Sequence, residues 1–128
     1  MRIRRELLAL FLVLSLLAGC GADGGKVSAR DVLKQNSDAD IFQYDGFIYS
    51  NMTDVEWFQK EKERYVKHHL LGEIKKQSTS RFGFKDLTAT KLPIGTKLYL
   101  SSENERDLGI IIVENEETDL YYMKLLEG

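Results

Sequence analysis

Four consecutive β-branched residues, Ile110-Ile111-Ile112-Val113, constrain this chain more than any other feature. Side chains branched at Cβ are stiff about χ1 and suit pleated backbone, so the run predicts a strand. Successive strand residues point to opposite faces, which makes this strand apolar on both. On an exposed edge it would be an aggregation hazard. The run is therefore expected at the centre of a sheet, covered on both sides.

The neighbouring patterns supply the rest of that sheet. Ile41 to Ser50 alternates aromatic and aliphatic residues about Asp45-Gly46, the signature of a two-residue type I′ hairpin. That turn sets Tyr44 opposite Phe47 and Phe42 opposite Tyr49, with Ile41, Gln43, Ile48 and Ser50 on the other face. Lys97 to Ser101 and Leu120 to Leu126 predict two more strands, joined to the β-branched run by charged turns. Gly72 to Gln77 predicts a short edge strand, with Lys75 and Lys76 discouraging further pairing. Thr53 and Glu56 have the spacing of a capping box, predicting a helix from Asp54 to about Lys67 that covers one face. The expected fold class is α+β: a small, curved, mostly antiparallel sheet or partly open barrel with one helix, forming a single globular domain over residues 39–128.

The first twenty residues are built differently. Arg2, Arg4 and Arg5 precede an apolar run from Leu7 to Ala18 broken only by Ser15. A basic start and about a dozen apolar residues match a secretory signal peptide. A spanning helix needs roughly 20 apolar residues. Loss of residues 1–19 removes three arginines and Glu6, taking 18 basic and 20 acidic residues to 15 and 19, a net charge of −4. Neither balance suits a nucleic-acid binder, and the single cysteine excludes a disulfide framework or a cysteine-cluster metal site. Residues 20–38, with Gly21, Gly24 and Gly25 and few apolar side chains, are expected to be a flexible tether with one helical turn around Arg30 to Lys34.

Leu17-Ala18-Gly19-Cys20 resembles the lipobox of bacterial lipoproteins. The resemblance implies cleavage before Cys20 and a diacylglyceryl thioether on its sulfur, placing the domain on the extracytoplasmic face of the cell membrane. Two acyl chains hold a protein stably where one is marginal. Asp38 to Phe42, Gly46, Trp57, Gly72-Glu73-Ile74 and Ala89 to Lys97 together resemble small uncharacterised lipoproteins of Gram-positive bacteria, a likeness that implies no activity. Ile94 to Tyr99, followed by two strands, has a weaker likeness to bacterial SH3-like wall-binding domains, without their Gly-Trp-Tyr centre.

Candidate chemistry is sparse. His68 and His69, adjacent on a helix, point about 100° apart and cannot grip one metal from one face; Glu73 is the nearest carboxylate. A solvated helix end accounts for them. Glu114 to Asp119 either binds calcium loosely or simply joins two strands; it lacks the ligand alternation and central glycine of a dedicated loop. No nucleophile elbow or glycine-rich phosphate loop occurs. Phe42, Tyr44, Phe47 and Tyr49 form either a sugar-stacking face or core, and the same choice applies to Trp57. No catalytic, cofactor or metal residues are expected; Cys20 is the expected lipid site. The expected role is a non-enzymatic binding or interaction module of the envelope, held to the membrane through Cys20, with an envelope protein or the cell wall as partner and no nucleic acid. The alternatives are a small envelope hydrolase, a protein inhibitor or a stress-signalling regulator.

Overall fold

The computed structural model describes residues 26–102 and 108–126. Cys20, the leader and residues 21–25 of the expected tether lie outside the described residues. The architecture is a curled, mostly antiparallel half-barrel of eight strands: β1 (Ile41–Tyr44), β2 (Phe47–Asn51), β3 (Leu70–Glu73), β4 (Lys76–Gln77), β5 (Thr88–Ala89), β6 (Lys97–Leu100), β7 (Ile110–Val113) and β8 (Leu120–Lys124). Their order is β3-β6-β7-β8-β2-β1-β5-β4. Among the described residues, only β4 and β5 pair in parallel.

The hairpin has the expected register, Phe42 opposite Tyr49 and Tyr44 opposite Phe47. Asp45 and Gly46 have φ of 51° and 79°, the double left-handed geometry a type I′ turn requires. Alternation then splits the hairpin between two cores. Phe42 and Tyr49 stack at 5.2 Å on the concave side, where Tyr122, Leu98, Ile111, Val113, Ala89, Leu92 and Ile74 fill the curl. Ile41 and Ile48 face outward into a second cluster.

That second cluster carries the helical turn expected around Arg30 to Lys34 and corrects the flexible-tether reading for residues 26–35. Ala29–Gln35 forms helix α1, whose Ala29 and Leu33 bury against Ile41 and Ile48. Ser28 caps it, accepting from the Asp31 N–H, with Asp31 in the first turn and Lys34 in the last, as the helix dipole favours. Lys26 bridges Leu126 as an isolated antiparallel pair. Residues 26–35 are therefore docked on the sheet.

The expected helix over 54–67 is also corrected. It shrinks to α2 (Glu56–Gln59) and a 3-10 turn at Lys62–Arg64. Thr53 does not cap it: its hydroxyl accepts from the Tyr121 N–H of β8 and donates to Asn51 Oδ1. A strand's unpaired N–H makes a stronger demand on that oxygen than a marginal helix end. Phe58, 1% exposed, carries most of the segment's packing.

β7 is buried at all four positions, central between β6 and β8 as its composition requires. The two edge strands, β3 and β4, are separated in the chain by only Ile74 and Lys75. Ile74 donates to the Thr96 carbonyl and Lys75 to that of Leu87, so the chain passes directly from one edge of the sheet to the other.

Candidate binding face

Three exposed apolar residues mark the outer surface of β3, β6, β7 and β8. Trp57, Val66 and Leu70 are 55%, 61% and 57% exposed. Leu70 begins a cross-strand row in which Tyr99, Ile112 and Tyr121 follow in register. The Tyr121 ring lies 5.6 Å from Phe58, which also contacts Tyr65 at 5.9 Å and Trp57 at 6.0 Å. The result is a stepped aromatic surface: Phe58 and Ile112 are sealed beneath it, while Trp57 and Leu70 project from it. Single exposed apolar side chains are ordinary, but a contiguous group flanked by polar residues marks a contact surface.

The polar margin is built by hydrogen bonds. Lys67 lies 5.4 Å over the Tyr99 ring and pairs with Asp119 at 3.2 Å. The Tyr99 hydroxyl donates to Glu114 Oε2 at 2.8 Å. That hydrogen bond to a carboxylate raises the Tyr99 pKa, and the bond to Asp119 raises that of Lys67. Both groups hold their ordinary charge at neutral pH, which leaves an aromatic surface with fixed donors and acceptors along one side.

The residues singled out from the sequence are placed as follows. Phe42 and Tyr49 are fully buried and Tyr44 and Phe47 pack on them, so the hairpin aromatics are core. Trp57 is on the surface instead. His68 and His69 are not at a helix end: they run extended beside β6, with the His68 N–H donating to the Leu100 carbonyl and the Leu100 N–H to that of His69. Among the described residues, no three His, Cys, Asp or Glu side chains are placed to hold a metal ion. Within the acidic turn, Glu114 and Asp119 are engaged by Tyr99 and Lys67. The Tyr99–Tyr121 row was missed; its signal was Tyr99 set between Leu98 and Leu100, with Tyr121 next to Tyr122, the alternation of strands with one wet face.

Two open grooves flank this surface and the helix. One, of about 330 Å³, lies between Gly95-Thr96-Lys97 and Glu114-Asn115-Glu116. The other runs between α1 and the end of β8, with Val27, Val32, Leu125 and Leu126 among its lining. Compared with protein-family models, curated proteins and solved structures, the chain matches none.

Proposed function

We propose that the protein is a lipid-anchored interaction module of the extracytoplasmic membrane face, binding an envelope protein or a cell-wall component through the Trp57–Leu70 surface. The half-barrel acts as a filled, partly open barrel: its interior holds packed side chains, so the outer face is left to meet a partner. The observation that carries the reading is the exposure of Trp57, Val66 and Leu70 around the Tyr65 and Tyr99 rings. Aromatic residues backed by a rigid sheet lose little entropy on contact, and Trp and Tyr dominate interface energies for that reason. The lipobox-like Leu17-Ala18-Gly19-Cys20 supports the anchor.

The test combines mass and cross-linking. Membrane-fraction protein should begin at residue 20 and carry an added lipid mass that Cys20→Ser abolishes. Cross-linking in intact cells should recover an adduct from the wild type, and Trp57→Ala should lose it without loss of fold. A mature chain without lipid sinks the anchor. An adduct unaffected by Trp57→Ala and Leu70→Ser sinks the binding face.

A further inference from the structure

A second surface, on the far side of the hairpin, has the opposite character. Phe82 is 65% exposed, and two cations lie over its ring, Arg30 at 5.6 Å and Arg81 at 5.7 Å from the centroid. These residues share a groove with Gln43 and Lys85. Gln43 leads on to the hairpin tip through Asp86, whose Oδ1 accepts from Gln43 Nε2 and from the Gly46 N–H. At the tip, Phe47, partly buried against the inner core, has Lys26 at 4.9 Å and Lys124 at 4.2 Å over its ring. Leu126, 61% exposed, pairs with Lys26.

Five cations thus gather here: Lys26, Arg30, Arg81, Lys85 and Lys124. The anions among them are Asp31, Asp45 and Asp86, which leaves five positive against three negative charges, a local excess of +2. The chain as a whole has a net charge of −2, so its charge is segregated. The acidic turn Glu114–Asp119 lies at the other end of β8 from Lys124. Net acidity alone argues against attraction to an anionic membrane; the distribution reverses that argument locally.

We infer that this face is held against the anionic lipid surface, fixing the orientation of the domain. The inference rests on the anchor at Cys20. Five residues separate Cys20 from Lys26, and the six steps between them reach about 21 Å at full extension. Lys26 is itself part of the cationic face, so an anchor within that reach lies on the side that turns to the membrane. A surface too weak to bind from solution is populated when a short tether supplies a high effective concentration. Phe82 and Leu126 suit a membrane interface by position: both are apolar and exposed, Phe82 lies beneath Arg30 and Arg81, and Leu126 is bridged to Lys26. With this face down, the Trp57–Leu70 surface, which begins beyond the end of β2 opposite the hairpin tip, is left free.

The experiment is lysine acylation read by peptide mass, on lipidated full-length mature protein reconstituted in vesicles. In vesicles containing phosphatidylglycerol, Lys26, Lys85 and Lys124 should react several-fold more slowly than in pure phosphatidylcholine, while Lys62 and Lys97 react equally in both. High salt should remove the difference. Arg81→Glu with Lys85→Glu should abolish it too, since each charge lost near an anionic surface costs about fivefold in association. Circular dichroism of that variant checks the fold. Equal reactivity of all five lysines in both vesicles overturns the inference. Protection by a soluble anionic polymer, but not by phosphatidylglycerol, overturns it in favour of a wall polymer. If the protein carries no lipid and fails to float with phosphatidylcholine, the anchor reading has failed separately. The face then stands if unlipidated protein floats with phosphatidylglycerol vesicles in low salt only, and falls if it does not.

Discussion

The Tyr122 hydroxyl donates to Asp40 Oδ1 at 2.8 Å, joining residues 82 positions apart. The other carboxylate oxygen of Asp40 accepts from Asn51 Nδ2 at 2.9 Å. One half-buried carboxylate thus ties the last strand to the entry of the first hairpin, at the rim of the aromatic core.

Asp40→Ala should cost about 1–3 kcal/mol, because it leaves a buried hydroxyl and an amide without their partner. Tyr122→Phe should cost about 1 kcal/mol, and adding it to Asp40→Ala should cost less than the sum of the two. Urea denaturation of the four proteins checks this; additive losses would mean the bond contributes nothing.

Alkaline pH should unfold the protein. Burial, above all, pushes the hydroxyls of Tyr49 and Tyr122 far up, with the Asp40 carboxylate adding to the effect at Tyr122. In the unfolded chain these groups ionise near their ordinary value of about 10. The native state binds their protons more tightly, so their contribution is complete below about pH 10 and declines as the pH rises above it. Tyrosinate absorbance and circular dichroism followed together should show two of the six tyrosines ionising only as structure is lost.

Leu33→Ala should destabilise the domain by about 2–5 kcal/mol, the usual cost of truncating a buried leucine. Leu33 is 3% exposed against Ile41 and Ile48. A free tether would show no change in thermal denaturation.

Thr53→Val should cost about 1–3 kcal/mol by stranding the Tyr121 N–H, whereas Glu56→Ala should be nearly neutral. A capping box would make both substitutions costly, so denaturant midpoints of the pair distinguish strand stapling from helix capping.

The parts of the fold legible in the sequence were those governed by local rules. The hairpin register follows from two turn residues and alternation, and the burial of Ile110–Val113 from composition. The helix over 54–67 was not legible because distant groups outbid it. Tyr121 claims the Thr53 hydroxyl, and Leu100 draws His68 and His69 into extended pairing. Of helix α1, the turn around Arg30 to Lys34 was legible, but not its docking, since Ala29 and Leu33 alone give a thin apolar stripe. Strand order involves partners that no local pattern names. The candidate face shares that opacity: Leu70, Tyr99, Ile112 and Tyr121 come from four strands, and only their register makes them neighbours.

The pairing of β2 with β8 sits in the middle of the sheet, and it sets the timing of folding. Residues 47–51 must wait for residues 120–124 before either half of the sheet has a complete neighbour. Contacts so distant in sequence close slowly, placing the domain in the slow range for small β-rich proteins. A chain truncated before Leu120 loses the strand that joins β3-β6-β7 to β2-β1-β5-β4, leaving the two halves linked through the Ile74-Lys75 crossing. The two halves of the sheet therefore gain their central join only when β8 docks on β2, which makes that pairing the expected late event of folding.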